Sequence, residues 1–172
     1  MRVENRVSFD QVRDVFSQEN PDPAFGSTGY AFHLLGVANG QFGSWYRVAL
    51  SLEDILGVML PPHIHAGLEL IPQCGLMVSD VVRKVQLVQQ SHVCPRRIEE
   101  LSREPLSTVF LSAAPLDHPE YPDYRELVHR RYRGLTHLDG LHRLIAWARS
   151  DQSQVAAYVA GLTVGPQVHG SG

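Results

Sequence analysis

Leu135-Thr136-His137-Leu138-Asp139-Gly140-Leu141-His142-Arg143-Leu144-Ile145-Ala146-Trp147-Ala148, followed by Val155-Ala156-Ala157-Tyr158-Val159-Ala160, decides the fold class of this chain. A short apolar run reaches Asp139-Gly140, where glycine permits a tight turn. His142-Arg143 then open a segment whose Leu144, Ile145, Trp147 and Ala148 lie at helical spacing. The order reads strand, turn, helix, strand. Backbone N–H groups at a helix start, with a forked guanidinium in the first turn, suit a phosphate. The expected architecture is α/β (α+β), a single domain over 1–164 with a small mixed sheet and flanking helices. Within it, 1–44 is an N-terminal elaboration, 45–164 the core, and 165–172 a flexible tail.

Outward from that stretch, Val155 to Val159 closes the sheet and Leu106 to Ala114 is β-branched and apolar enough for a buried strand. Ser8 caps a helix running to about Gln18, with Phe9, Val12, Val15 and Phe16 on one face. Pro21 to Ser44, rich in Gly, Pro, Asn and Ser, reads as a long loop with one anchored piece at Tyr30 to Leu35. Trp45 to Leu50 alternates like a strand, and Ser51 caps Leu52 to Leu56. Short apolar runs at Val58 to Leu60 and Leu68 to Ile71 precede helical segments from Ser79 and from Arg96 to Arg103. Pro115 to Arg133, with Arg125, Arg130, Arg131 and Arg133, is an insertion between strands that reads first as a solvated charged segment and second as a substrate lid.

The chain has 172 residues, 44% hydrophobic and 19% charged, enough for one substantial core. A formal net charge of −3 gives no footprint for nucleic acid or an anionic membrane surface. Lys84 is the only lysine, so arginine abundance by itself argues nothing about phosphate. Cys74 and Cys94 belong to no CxxC pair, and two reduced thiols are expected. Met1 to Asn20 is charged and lacks the apolar stretch of a signal peptide, and no run reaches the roughly 18 to 20 apolar residues of a membrane span. A cytoplasmic protein acting on a small molecule is expected, and nothing here bars a homodimer.

Asp139-Gly140-Leu141-His142-Arg143 resembles the phosphate loop of the ParB/sulfiredoxin-like superfamily. Sulfiredoxins carry Gly-Gly-Cys-His-Arg there, free-serine kinases Asp-Gly-His-His-Arg and chromosome-partitioning ParB proteins Gly-x-Arg-Arg. The resemblance implies a nucleotide-dependent phosphotransferase using ATP or ADP with Mg²⁺ on a small-molecule hydroxyl of primary or specialised metabolism. Gly140, Leu141, His142 and Arg143 would bind the nucleotide. Asp139 would support the metal or accept the acceptor's proton, and His142 would join it in catalysis. Leu141 replaces the sulfiredoxin cysteine, which excludes sulfinic-acid reduction. No glutamate follows Pro72, where free-serine kinases carry theirs.

Gly57-x5-His63-x-His65-x3-Glu69-x5-Gly75 is similar to the first metal motif of cupins. Histidines two apart on a strand share a face, and Glu69 would join them on a divalent metal. The helix expected from Ser79, the prolines at 61, 62 and 72, and the lack of a second motif argue for incidental histidines and no stoichiometric transition metal. His137, Asp139 and His142 form a second possible metal cluster, although a strand His137 satisfied by a neighbouring carbonyl is the preferred expectation. The third alternative is a non-catalytic protein binding a metabolite or partner.

Overall fold

Ser8 ends the first strand, β1 (Arg2–Val7), and starts α1 (Phe9–Glu19). Its hydroxyl accepts the Gln11 N–H at 3.2 Å, while the Gln11 side chain accepts the Ser8 N–H at 2.9 Å. Ser51 repeats this reciprocal cap with Asp54 after β2 (Trp45–Leu50), opening α3 (Leu52–Leu56). Each cap satisfies N–H groups that a helix start leaves without partners, so two polar residues fix where chain direction changes.

The computed structural model describes residues 1–20, 26–65, 67–88 and 90–164. The tail expected at 165–172 lies outside the described residues. Between the two caps runs α2 (Gly26–Phe42), and after α3 come β3 (Met59–Leu60), β4 (His63–His65), β5 (Leu68–Ile71) and β6 (Leu76–Met77). Helices α4 (Val78–Val85) and α5 (Val93–Leu101) follow, then β7 (Val109–Ser112), α6 (Pro122–His129), β8 (Thr136–Asp139), α7 (Leu141–Arg149) and β9 (Val155–Ala160). The seven-stranded sheet has the order β1-β2-β9-β7-β8-β3-β6, and β4 and β5 make a separate hairpin. β9 pairs parallel with β7 and β8 parallel with β3, while the other pairs are antiparallel. The fold is α/β with a mixed sheet, as the Leu135 to Ala160 stretch requires.

Strand alternation separates two cores. Val109, Leu111, Val155, Ala157 and Val159 face one way, against α4, α5 and α7 through Val81, Ile98, Ile145 and Trp147. Phe110, Leu138, Tyr158 and Ala160 face the other way, against Val12 and Phe16 of α1, Leu34 and Leu35 of α2, and Tyr124 of α6. A sheet covered on both faces needs apolar residues at successive strand positions, and β7 and β9 supply them.

Two expectations are corrected. Most of Pro21 to Ser44 is helix rather than loop. Gly29, Gly36 and Gly40 cost α2 roughly 1 kcal/mol each by propensity, but Ala31, Leu34, Leu35 and Ala38 are buried, and packing decides. The insertion at Pro115 to Arg133 is not simply solvated surface: Leu116, Tyr121 and Tyr124 belong to the second core, and Leu127 is buried as well. Among the described residues, no helix is long and apolar enough to cross a membrane.

Candidate functional site

β4 follows Pro61-Pro62 and is paired to β5 in the register His63↔Ile71, Ile64↔Glu69, His65↔Leu68. Alternation along β4 puts His63 and His65 on one face and Ile64 on the other. Cys94 arrives from the first turn of α5, whose start is fixed by His92, where the Nδ1 accepts the Cys94 N–H at 3.3 Å. The Cys94 Sγ lies 3.6 Å from His63 Nε2 and 4.0 Å from His65 Nδ1, and one donor atom from each of the three residues falls within 4.8 Å of the others. A tetrahedral zinc with bonds of about 2.3 Å to sulfur and 2.0–2.1 Å to nitrogen sets sulfur and nitrogen ligands about 3.5 Å apart. The Cys94–His63 and Cys94–His65 separations are close to that spacing.

The cupin-like ligand set is corrected at one position. Glu69 is exposed opposite Ile64, and its backbone carbonyl accepts from the Lys84 ammonium at 2.8 Å. Its place beside the histidines is taken by Cys94, 29 residues beyond His65. The surrounding sheet is open and covered by helices, which is not a cupin barrel.

Burial sets the protonation of the site. It lowers the His63 pKa, with His65 adding to the effect, and so favours the neutral imidazole that binds metals. Burial raises the Cys94 thiol. A metal held there would reverse that preference by binding the thiolate, and the α5 N-terminus would add favourable dipole. The His142 ring stands 5.2 Å from that of His63, nearly perpendicular to it. Burial, then His63, His65 and Arg97, push the His142 pKa down to about 4, and its Nε2 is buried without a partner.

The Asp139 to Arg143 turn stands against the same cavity, which has a volume of about 790 Å³ and is lined also by His63, His65, His137 and Tyr30. Gly140 is required here: its φ is +97°, and a Cβ would meet Val109 Cγ1 at 2.6 Å. Arg143 is not a free phosphate fork. Its guanidinium pairs with Asp139 and with Glu19 Oε2 at 3.2 Å, and donates to Ser107 Oγ at 3.1 Å. Burial raises the Asp139 pKa while Arg143 and the Gly140 N–H oppose the rise. Asp139 and His142, Gly140, Leu141 and Arg143 therefore all line the cavity, but Asp139 is committed to Arg143 and is not part of the His-His-Cys group.

His137 on β8 is 8% exposed, and neither ring nitrogen has a partner. Burial, then Arg143, His142 and His63, lower its pKa to about 3. The sequence offered His63-x-His65 as a same-face pair but had no signal for Cys94, whose role depends on α5 packing across the hairpin. His92 ahead of Cys94-Pro95, an imidazole capping a helix with cysteine in its first turn, is the nearest local hint.

No curated protein and no solved structure matches the chain. A family match covers residues 1–171, and the chain belongs to that family, described as "Family of unknown function (DUF6309)".

Proposed function

We propose that this protein is a metal-dependent enzyme in which His63, His65 and Cys94 hold one transition metal of the zinc class at the edge of the cavity. The observation that carries this is the convergence of three donor atoms within 4.8 Å from two elements far apart in sequence. Imidazole with thiolate selects zinc-class ions over Mg²⁺ or Ca²⁺. Structural zinc sites close with four protein ligands, whereas three leave a position for water or substrate. A metal held this way polarises a carbonyl oxygen and acidifies water, which points to hydrolysis of a small molecule. The chain's own part is to present a neutral His63 imidazole and to place His142 Nε2 as an uncommitted hydrogen-bonding group beside it.

On this reading the histidines are ligands rather than incidental, with Cys94 in the place that the sequence motif gave to Glu69. The nucleotide phosphotransferase reading draws less support: a polyphosphate at Arg143 would have to displace both Glu19 and Asp139. Elemental analysis of protein expressed with added zinc tests the proposal. About one metal per chain is expected, falling to below about a tenth in Cys94→Ala and His63→Ala with folding retained. Cobalt-loaded wild type should show a thiolate-to-cobalt charge-transfer band that Cys94→Ala lacks. Wild type without metal, or metal content indifferent to Cys94, overturns it.

A further inference from the structure

The cavity that meets the His-His-Cys group carries more acid than base. Glu19, Glu104, Asp123 and Asp139 line it with only Arg97 and Arg143. Both guanidiniums are already committed, Arg143 to Glu19 and Asp139 and Arg97 to Glu104 at 3.0 Å and Glu100 at 3.3 Å. Asp123 makes no ion pair or side-chain hydrogen bond among the described residues. It stands in the first turn of α6 near Tyr30, whose phenol is pushed up to about 12 by burial, then by Tyr121 and Asp123. The Tyr30 and Tyr121 rings meet edge to face at 5.2 Å, and Tyr121 meets Tyr124 likewise at 6.2 Å. Tyr30 and Tyr124 reach the cavity with Asp123.

A free carboxylate beside tyrosine rings is the chemistry that holds an organic ammonium, through charge and through the negative ring faces. A second observation points to a ligand in the same cavity. His137 belongs to its wall, more than nine-tenths buried, and both of its ring nitrogens lack partners, as does Nε2 of His142. Buried polar groups are ordinarily satisfied, so these call for an occupant with both donors and acceptors.

We infer that the cavity takes a small primary amine that also bears an amide or ester carbonyl, with the ammonium at Asp123, Tyr30 and Tyr124 and the carbonyl toward His63, His65 and Cys94. The carbonyl half rests on the metal reading, whereas the ammonium half does not. Hydrolysis would break the acyl C–N or C–O bond, water giving its hydroxyl to the carbonyl carbon and a proton to the leaving amine or alcohol.

The probes are L-leucinamide and 4-methylpentanamide, which lacks the ammonium, titrated calorimetrically into zinc-loaded and metal-free protein. L-leucinamide is expected to bind at least about tenfold more tightly to both forms. Asp123→Asn and Tyr30→Ala should each erase most of that preference while leaving metal content at the wild-type value. Tyr30 is 51% exposed, so its removal spares the fold if Asp123→Asn does not. Equal binding of the two amides, no detectable binding of either, or a preference that survives both substitutions overturns the inference. Loss of the zinc-loaded effect alone would instead count against the metal reading, since the metal-free arm reads the ammonium site by itself.

Discussion

The Arg143 side chain is 15% exposed and shared between Glu19 and Asp139, so removing it strands two partly buried carboxylates. Losing one partner from such a group costs more than the pair contributes, because the remaining charge keeps its desolvation penalty. Arg143→Ala is therefore expected to lower unfolding free energy by about 2 to 3 kcal/mol, read from urea denaturation. Arg143→Lys should recover little of it, since an ammonium cannot reproduce the fork that spans two carboxylates and Ser107. A stability within error of wild type would return Arg143 to the role of a free ligand-binding group. Gly140 makes a second residue-scale demand: at φ +97° a side chain is strained, and its Cβ would sit 2.6 Å from Val109. Gly140→Ala should cost about 2 to 4 kcal/mol and shift the α7 start, seen as a lower urea midpoint.

Elements with a strong local period were legible, and those defined by packing were not. β8, the Asp-Gly turn, α7 and β9 could be read because apolar residues, a turn glycine and a helical stripe appear in order within one short stretch. The two serine caps were legible for the same reason, being local hydrogen-bond chemistry. α2 hid because its glycines signal a loop while its stability comes from Ala31, Leu34, Leu35 and Ala38 meeting α1 and the sheet. β1 hid because its residues are mostly exposed, and an edge strand carries little apolar alternation. In the site, His63 and His65 were readable from strand geometry, whereas Cys94 joins them only through tertiary structure. The Pro115 to Arg133 insertion shows the same limit: its charges suggested a solvated segment or a lid, but in α6 the Tyr124 hydroxyl donates to the His137 carbonyl at 2.9 Å and both Tyr124 and Leu127 are buried. Amide exchange across Tyr124 to His129 should thus be slow without any ligand. Fast exchange there, quenched only when ligand binds, would restore the lid.

Two helical layers on one sheet leave the whole molecule dependent on histidines that fold into its interior uncharged. His137 is the clearest case, with a pKa lowered from 6.5 to about 3 by burial, then by Arg143, His142 and His63. His142, lowered to about 4, acts in the same sense. In the unfolded chain both imidazoles take a proton as pH falls through about 6.5, whereas the native state holds them neutral until much lower pH. The unfolded state then binds more protons, so stability is fully present above about pH 6.5 and falls as the solution becomes more acidic. Each such histidine contributes up to about 1.4 kcal/mol per pH unit. Asp139 opposes this at the acid end, because a raised carboxyl pKa lets the native state take a proton before the unfolded chain does. Urea unfolding of metal-free protein between pH 7 and pH 5 should show the loss, and His137→Leu should flatten the slope by close to one proton. An unchanged slope in His137→Leu would mean that this imidazole is charged or solvated in the native protein, and that the unpartnered nitrogens on β8 are not the buried neutral groups on which both the acid sensitivity and the cavity's polar demand depend.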